Sequence, residues 1–215
     1  MKTIRHIFIL FLLYPKLYGQ IVLDPIDPAI EISAGYRMTQ NDFYGQLNSL
    51  NNFSTSRPMF LVGITISDHF ARNAGSAFRK VTFNQIIPQS ITINDTINTE
   101  IRGFIFSAGA GSNLFRKSKT FHLYLGLGVN AGRIKLYKKD YINKLIPIIT
   151  PKLIIKLTFF FNRFYVDLNI EYDYDFINSK WKNIGDNQYN DISINKINYT
   201  SLTTTFGIGC FFSKQ

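Results

Sequence analysis

One cysteine, Cys210, stands in 215 residues. That scarcity excludes an internal disulfide and any structural zinc site built from several thiolates. Histidine is almost as rare. Beyond the first twenty residues only His69 and His122 occur, and neither falls in a His-Glu-x-x-His spacing. Gly-x-Ser-x-Gly is absent too, so the common zinc-hydrolase and serine-hydrolase signatures are missing. No run reaches the ~18 apolar residues of a membrane-spanning helix, and beyond the first twenty residues no segment shows helical amphipathic spacing. The formal charge is +10, yet Lys and Arg are scattered singly between apolar residues. No basic stripe and no recognition-helix pattern accompany the charge, which argues against a nucleic-acid partner.

What is present points to sheet. Hydrophobic residues make up 46% and aromatics 15% of a chain whose length suits one β domain. The first nineteen residues read as an export signal: "MKTIRH" is a basic start, "IFILFLLY" an apolar core, and Gly19 a small residue at the cut. Its removal takes away Lys2, Arg5 and Lys16 and leaves a formal charge of +7. No cysteine lies near the cut, so a lipid-anchored N-terminus is excluded. The alternative for this segment is a short membrane anchor. The expected organisation is a signal over 1–19, an N-terminal lead over 20–29 and a single domain over 30–215.

Strict alternation fills that domain. In "FYVDLNIEYDYDF", Phe164, Val166, Leu168, Ile170, Tyr172, Tyr174 and Phe176 share one parity, while Tyr165, Asp167, Asn169, Glu171, Asp173 and Asp175 share the other. Period two over so long a run is a β-strand with one apolar and one acidic face. "IEISAGYRM", "FLVGITIS", "FIFSAGAG", "TFHLYLGLGVNAG" and "LTTTFGIGCFF" repeat the pattern. The predicted strands are 30–41, 57–68, 78–87, 98–113, 119–137, 147–161, 164–177 and 197–213. The third is the least regular, because "FRKVTFNQI" alternates over only part of its length. Short connections at 116–119 and 162–163 fall on one rim; longer polar ones at 42–56, 138–146 and 178–196 fall on the other.

The two-residue turn Asn162–Arg163 sets the register of its hairpin. Pairing Phe161 with Phe164 puts Thr158 opposite Asp167, Lys156 opposite Asn169 and Lys152 opposite Asp173. Lys156 then lies diagonally between Asp167 and Glu171. An acidic face thus meets a basic one. In a bilayer, Arg or Lys turned toward lipid at midplane costs about 2–4 kcal/mol each, acids somewhat less. The apolar parity must then face outward, with Lys152, Lys156, Asp167, Glu171 and Asp173 forming an enclosed charge network. In water the two faces would exchange places. Glycines crowding the polar parity, aromatics near strand ends, an even Leu/Phe face and a terminal aromatic strand favour the membrane.

The export signal, the glycine strand "YLGLGVNAG" and the closing "TTFGIGCFF" resemble the small outer-membrane β-barrel proteins of Gram-negative bacteria, the porin-family and OmpA/OmpX-like barrels. The resemblance covers 30–215 and rests on pattern. It implies an all-β, antiparallel up-and-down transmembrane β-barrel, most simply of eight strands, in the bacterial outer membrane. It implies that Phe212 serves as the aromatic assembly signal read by the barrel-assembly machinery, with Ser213 to Gln215 following it. Outer-membrane lipid and lipopolysaccharide are the implied surroundings, and an envelope protein is a further possible partner.

Other chemistry is weaker on these residues. "GLGVNAG" matches a loose nucleotide fingerprint, but its glycines lie within a strand and no helix follows. The paired acids read as internal salt bridges before they read as general acid–base catalysts. His122 reads as a hydrogen-bonding residue of the lumen or rim, and Cys210 as a small apolar residue. No cofactor and no enzymatic activity is expected. Trp181, Lys138 and Lys139 are loop residues suited to lipopolysaccharide phosphates or a protein partner. Four functions remain ordered: a structural or surface-interaction barrel with a largely filled lumen, a narrow porin or transporter for small solutes, a secreted soluble β-sandwich or ligand-binding barrel, and a lipid-modifying enzyme.

Overall fold

The computed structural model describes residues 26–39, 58–70, 77–93, 97–115, 118, 120–138, 142–176, 182–183 and 200–212. These form β1 (Ile26–Thr39), β2 (Met59–Phe70), β3 (Ala77–Ile93), β4 (Ile97–Asn113), β5 (Phe121–Lys138), β6 (Ile142–Phe161), β7 (Phe164–Asp173), β8 (Lys182–Asn183) and β9 (Ser201–Phe211). Each long strand pairs antiparallel with the next, β9 lies between β7 and β1, and the β5–β6 pairing closes the ring. The two-residue β8 flanks β6 at Lys144 and Leu145. The result is a closed, eight-stranded, up-and-down barrel. Proposed signal residues 1–19, and the lead as far as 25, lie outside the described residues.

The β6–β7 hairpin has the register that its turn demands, from Phe161↔Phe164 through Lys156↔Asn169 to Lys152↔Asp173. Asn162 supplies the positive φ, 52°, required at the first central position of such a turn. Alternation translates directly into burial. Asp167 and Glu171 are 1% and 6% exposed, whereas Leu127 in β5 is 53% exposed. The apolar parity therefore faces outward, and the charged parity faces the axis.

Two expectations need correction. The third strand, predicted to end at residue 87, runs to Ile93, with its register shifting between Ile86 and Gln89. An irregularity there takes up the break that Pro88 makes in the alternation. The predicted loop 138–146 is mostly strand, because Lys138 pairs with Ile142 and only 139–141 separate β5 from β6. The polar run "YKKDYINK" made that segment read as a loop, and β6 carries Pro147 and Pro151 within it. Pro151 accepts the Tyr174 N–H at 3.0 Å, so its missing donor points to the β7 flank. Pro147 shares that parity, and there β7 has already ended. The prolines thus cost β6 no ladder bond with β5.

Among the described residues, strands β3 to β6 consequently extend further toward this rim than the other long strands, and toward it the patterning inverts. Toward the axis stand Ile86, Ile101, Ile134, Ile146 and Ile148, all essentially unexposed. On the outside stand Glu100, Arg102, Arg133 and Lys135. This upper section is built like a water-soluble sheet, apolar within and charged without.

Candidate functional site

The inward parity stacks three layers along the barrel axis. The lowest, near the short turns, is aromatic. The His69 ring meets Tyr124, Phe160, Tyr165 and Phe211 edge-on at centroid distances of 6.2, 5.6, 5.3 and 5.4 Å. His122 is buried beside them. Its Nε2–H donates to the Ser118 carbonyl at 2.7 Å, leaving Nδ1 to accept the Tyr124 hydroxyl at 2.8 Å. Both ring nitrogens are thereby used in the neutral form.

The middle layer is ionic. Lys156 pairs with Asp167, and with Glu31 at 3.5 Å. Glu171 takes Lys152 and Lys80, each at 2.7 Å. Asp173 takes Arg37 at 2.7 Å, with Ser201 and Asn130 donating to the same carboxylate at 2.9 and 2.6 Å. Neutral groups join the pairs. Lys80 also donates to Asn169 at 3.0 Å, whose amide donates to Asp167 at 2.9 Å, and the Tyr165 hydroxyl donates to Glu31 at 3.2 Å while Ser67 lies 3.2 Å away. The cations Arg37, Lys80, Lys152 and Lys156 balance the anions Glu31, Asp167, Glu171 and Asp173, which is what lets so many charges leave water together.

Glycines make room for these long side chains. A Cβ at Gly209 would run into the Tyr165 ring, and one at Gly207 into the Glu31 and Asp167 carboxylates. The uppermost layer is the aliphatic one, to which Met59, Leu61 and Ile105 also contribute.

Lys152, Lys156, Asp167, Glu171 and Asp173 are thus all in the lumen, but one expected contact is different. Lys156 does not bridge Asp167 and Glu171, because Glu31 takes its second position and Glu171 is held by Lys152 and Lys80. Inside a closed ring a long side chain reaches other walls as readily as its own sheet. Glu31, Arg37 and Lys80 were missed as members for the same reason. Their polar parity was visible in "IEISAGYRM" and "FRKVTFNQI", but β1 and β3 approach β7 only on closure. Phe212 is 64% exposed just beyond β9, its N–H donating to the Pro28 carbonyl at 3.0 Å. Lys138 is the last residue of β5; Trp181 and Lys139 lie outside the described residues. Among the described residues no three His, Cys, Asp or Glu side chains gather as metal ligands.

Solved structures share this architecture. A major outer-membrane protein from Thermus thermophilus superposes with a TM-score of 0.57 at 9% identity, covering 87% of this chain and all, 100%, of that one. Neisserial surface protein A gives 0.54 at 12% identity, with 87% and 97% covered. Ail, the attachment invasion locus protein of Yersinia pestis, solved with the heparin analogue sucrose octasulfate, gives 0.50 at 13%, again with 87% and 97% covered. The fold is that of the small outer-membrane barrels. No family model matches the chain, and no curated protein matches it by sequence.

Proposed function

We propose that the protein resides in the bacterial outer membrane as a closed, non-conducting and non-enzymatic barrel. Its work is structural or lies in surface interaction, through the loops displayed on its upper rim. The observation that carries this reading is the filled lumen: an aromatic layer, a charge-balanced ionic layer and an aliphatic layer occupy the axis in succession. An eight-stranded barrel has an interior only wide enough for its own side chains. The outward face supports residence in lipid, since Ile32, Ile66, Leu127, Phe206 and Ile208 expose more than half their surface. Aromatic pairs bound that apolar band, Phe121–Phe159 below and Tyr36–Phe60 and Tyr174–Phe176 above. Insertion through the barrel-assembly machinery, with Phe212 as its signal, belongs to the same reading.

Two measurements test it. The protein should sediment with outer membranes and migrate faster in detergent gels before boiling than after. Purified barrel in planar bilayers should give no stable current. A sustained conductance would establish the narrow porin instead, and recovery as a soluble periplasmic monomer would remove both barrel readings.

A further inference from the structure

The outward face of β4 and β5 carries a group of cations that the filled lumen does not use. Arg102 and Lys135 are direct cross-strand partners, and Arg133 pairs with Phe104 one step lower on the same face. Like charges directly opposed on one face of a sheet repel. This pair is nonetheless held close, for both cations stand over the Tyr137 ring, Arg102 at 4.5 Å and Lys135 at 5.0 Å. Arg133 stands over the Phe104 ring at 4.8 Å. Among the described residues the one carboxylate to hand is Glu100, 3.9 Å from Arg102, and no acid pairs with Arg133 or Lys135. The flanking strands offer neutral neighbours at this level, Gln85 beside Phe104 and Pro147 beside Arg133. Arg79, the outward cation of β3 near the opposite rim, has Asp68 at 3.5 Å.

Height gives the group its meaning. Immediately below it the outward face is the aromatic cluster of Phe83, Phe104 and Phe106. At its own level the inward face changes to Ile101 and Ile134. The cations therefore stand where the wall passes from hydrocarbon to water, on the rim opposite the short turns, which in outer-membrane barrels is the outer side.

We propose that Arg102, Arg133 and Lys135 form a binding site for the phosphate groups of phosphorylated glycolipid in the outer leaflet. The aromatic rings of Phe104 and Tyr137 position the cations, and Phe83 and Phe106 lie against the lipid's acyl chains. An anion between Arg102 and Lys135 turns their repulsion into two charge-assisted hydrogen bonds. Arg133 offers a third contact with planar, forked geometry. The site rests on the membrane reading above, and its test can fail independently of it.

The test uses the full-length barrel reconstituted in neutral-lipid nanodiscs, titrated with fluorescent lipopolysaccharide and with the same lipid after enzymatic dephosphorylation. The expected result is at least tenfold tighter binding of the phosphorylated form. Arg102→Gln/Arg133→Gln/Lys135→Gln should abolish that preference, Arg102→Lys/Arg133→Lys should retain most of it, and Arg79→Gln should leave it unchanged. Equal binding of the two lipids by the parent protein, or an undiminished preference in the triple glutamine variant, overturns the proposal. Displacement of the lipid by equimolar inorganic phosphate would show a free-anion site and overturn the lipid assignment. Heat-modifiable migration of every variant reports folding separately, and single glutamine variants, each expected to weaken binding severalfold, serve if the triple variant does not fold.

Discussion

Lys156 shows how much one enclosed side chain controls. Its ammonium is fully enclosed, with Asp167 and Glu31 as ion partners and the Tyr165 and Phe78 rings at 5.3 and 5.6 Å. Lys156→Met keeps the volume and removes the charge, leaving two carboxylates without their counterion. Loss of one member of an enclosed pair costs about 3–5 kcal/mol. Urea unfolding in lipid vesicles should show a loss of that size, and an unchanged midpoint would remove the ionic layer from the stability of the barrel. Gly209 makes the complementary case. Its missing side chain is the space occupied by the Tyr165 ring, so Gly209→Val should cost about 1–3 kcal/mol by overpacking. The same substitution in a Tyr165→Ala background should cost much less, a coupling that a double-mutant cycle measures directly.

At the scale of a strand, β5 contains both kinds of environment in one continuous alternation. Leu127 points outward within the apolar band, whereas Arg133, on the same parity, points outward above it. Leu127→Arg should cost about 2–4 kcal/mol in a bilayer, while Arg133→Leu should change folding stability by less than about 0.5 kcal/mol, as for an exposed surface position. Equal costs at the two positions would contradict the inversion. Alternation of this kind was legible in residue order, and with it the β6–β7 register and the outward parity; the count of eight also needed the even-number rule of bacterial barrels. Legibility ended where a second strand had to be known. "IEISAGYRM" shows Glu31 and Arg37 on the polar face, yet nothing local says that they meet Lys156 and Asp173. The height of β3 was hidden by Pro88, which ordinarily marks a strand end, and that of β6 by the polar run "YKKDYINK". Here Pro88 sits at an irregularity, and the polar residues after Lys138 continue the β5–β6 ladder from Ile142.

For the whole molecule the decisive length is that of the apolar band. Along β7 and the residue that follows it, the band runs from Phe164 to Tyr174, both outward. Ten residues rising ~3.3 Å each along strands tilted ~40° span about 25 Å, the height of the lipid-facing band in outer-membrane barrels. A tryptophan can report this depth once the native one is replaced. In a Trp181→Phe background, Leu127→Trp should be quenched most by lipids brominated near the chain ends. Phe83→Trp should be quenched most by bromines near the headgroup. Identical quenching profiles would deny that the wall crosses a bilayer at this angle.

The Lys80–Glu171 pair joins β3 to β7, strands on opposite sides of the ring. A strut across a hollow cylinder resists flattening, and it exists only after the two edges of the nascent sheet have met. Until that moment Glu171 keeps only Lys152 of its neighbouring strand and Lys80 lacks its carboxylate, so half-curled forms are penalised and seam joining becomes more abrupt. The same brace that keeps the cylinder round in service makes its last assembly step abrupt.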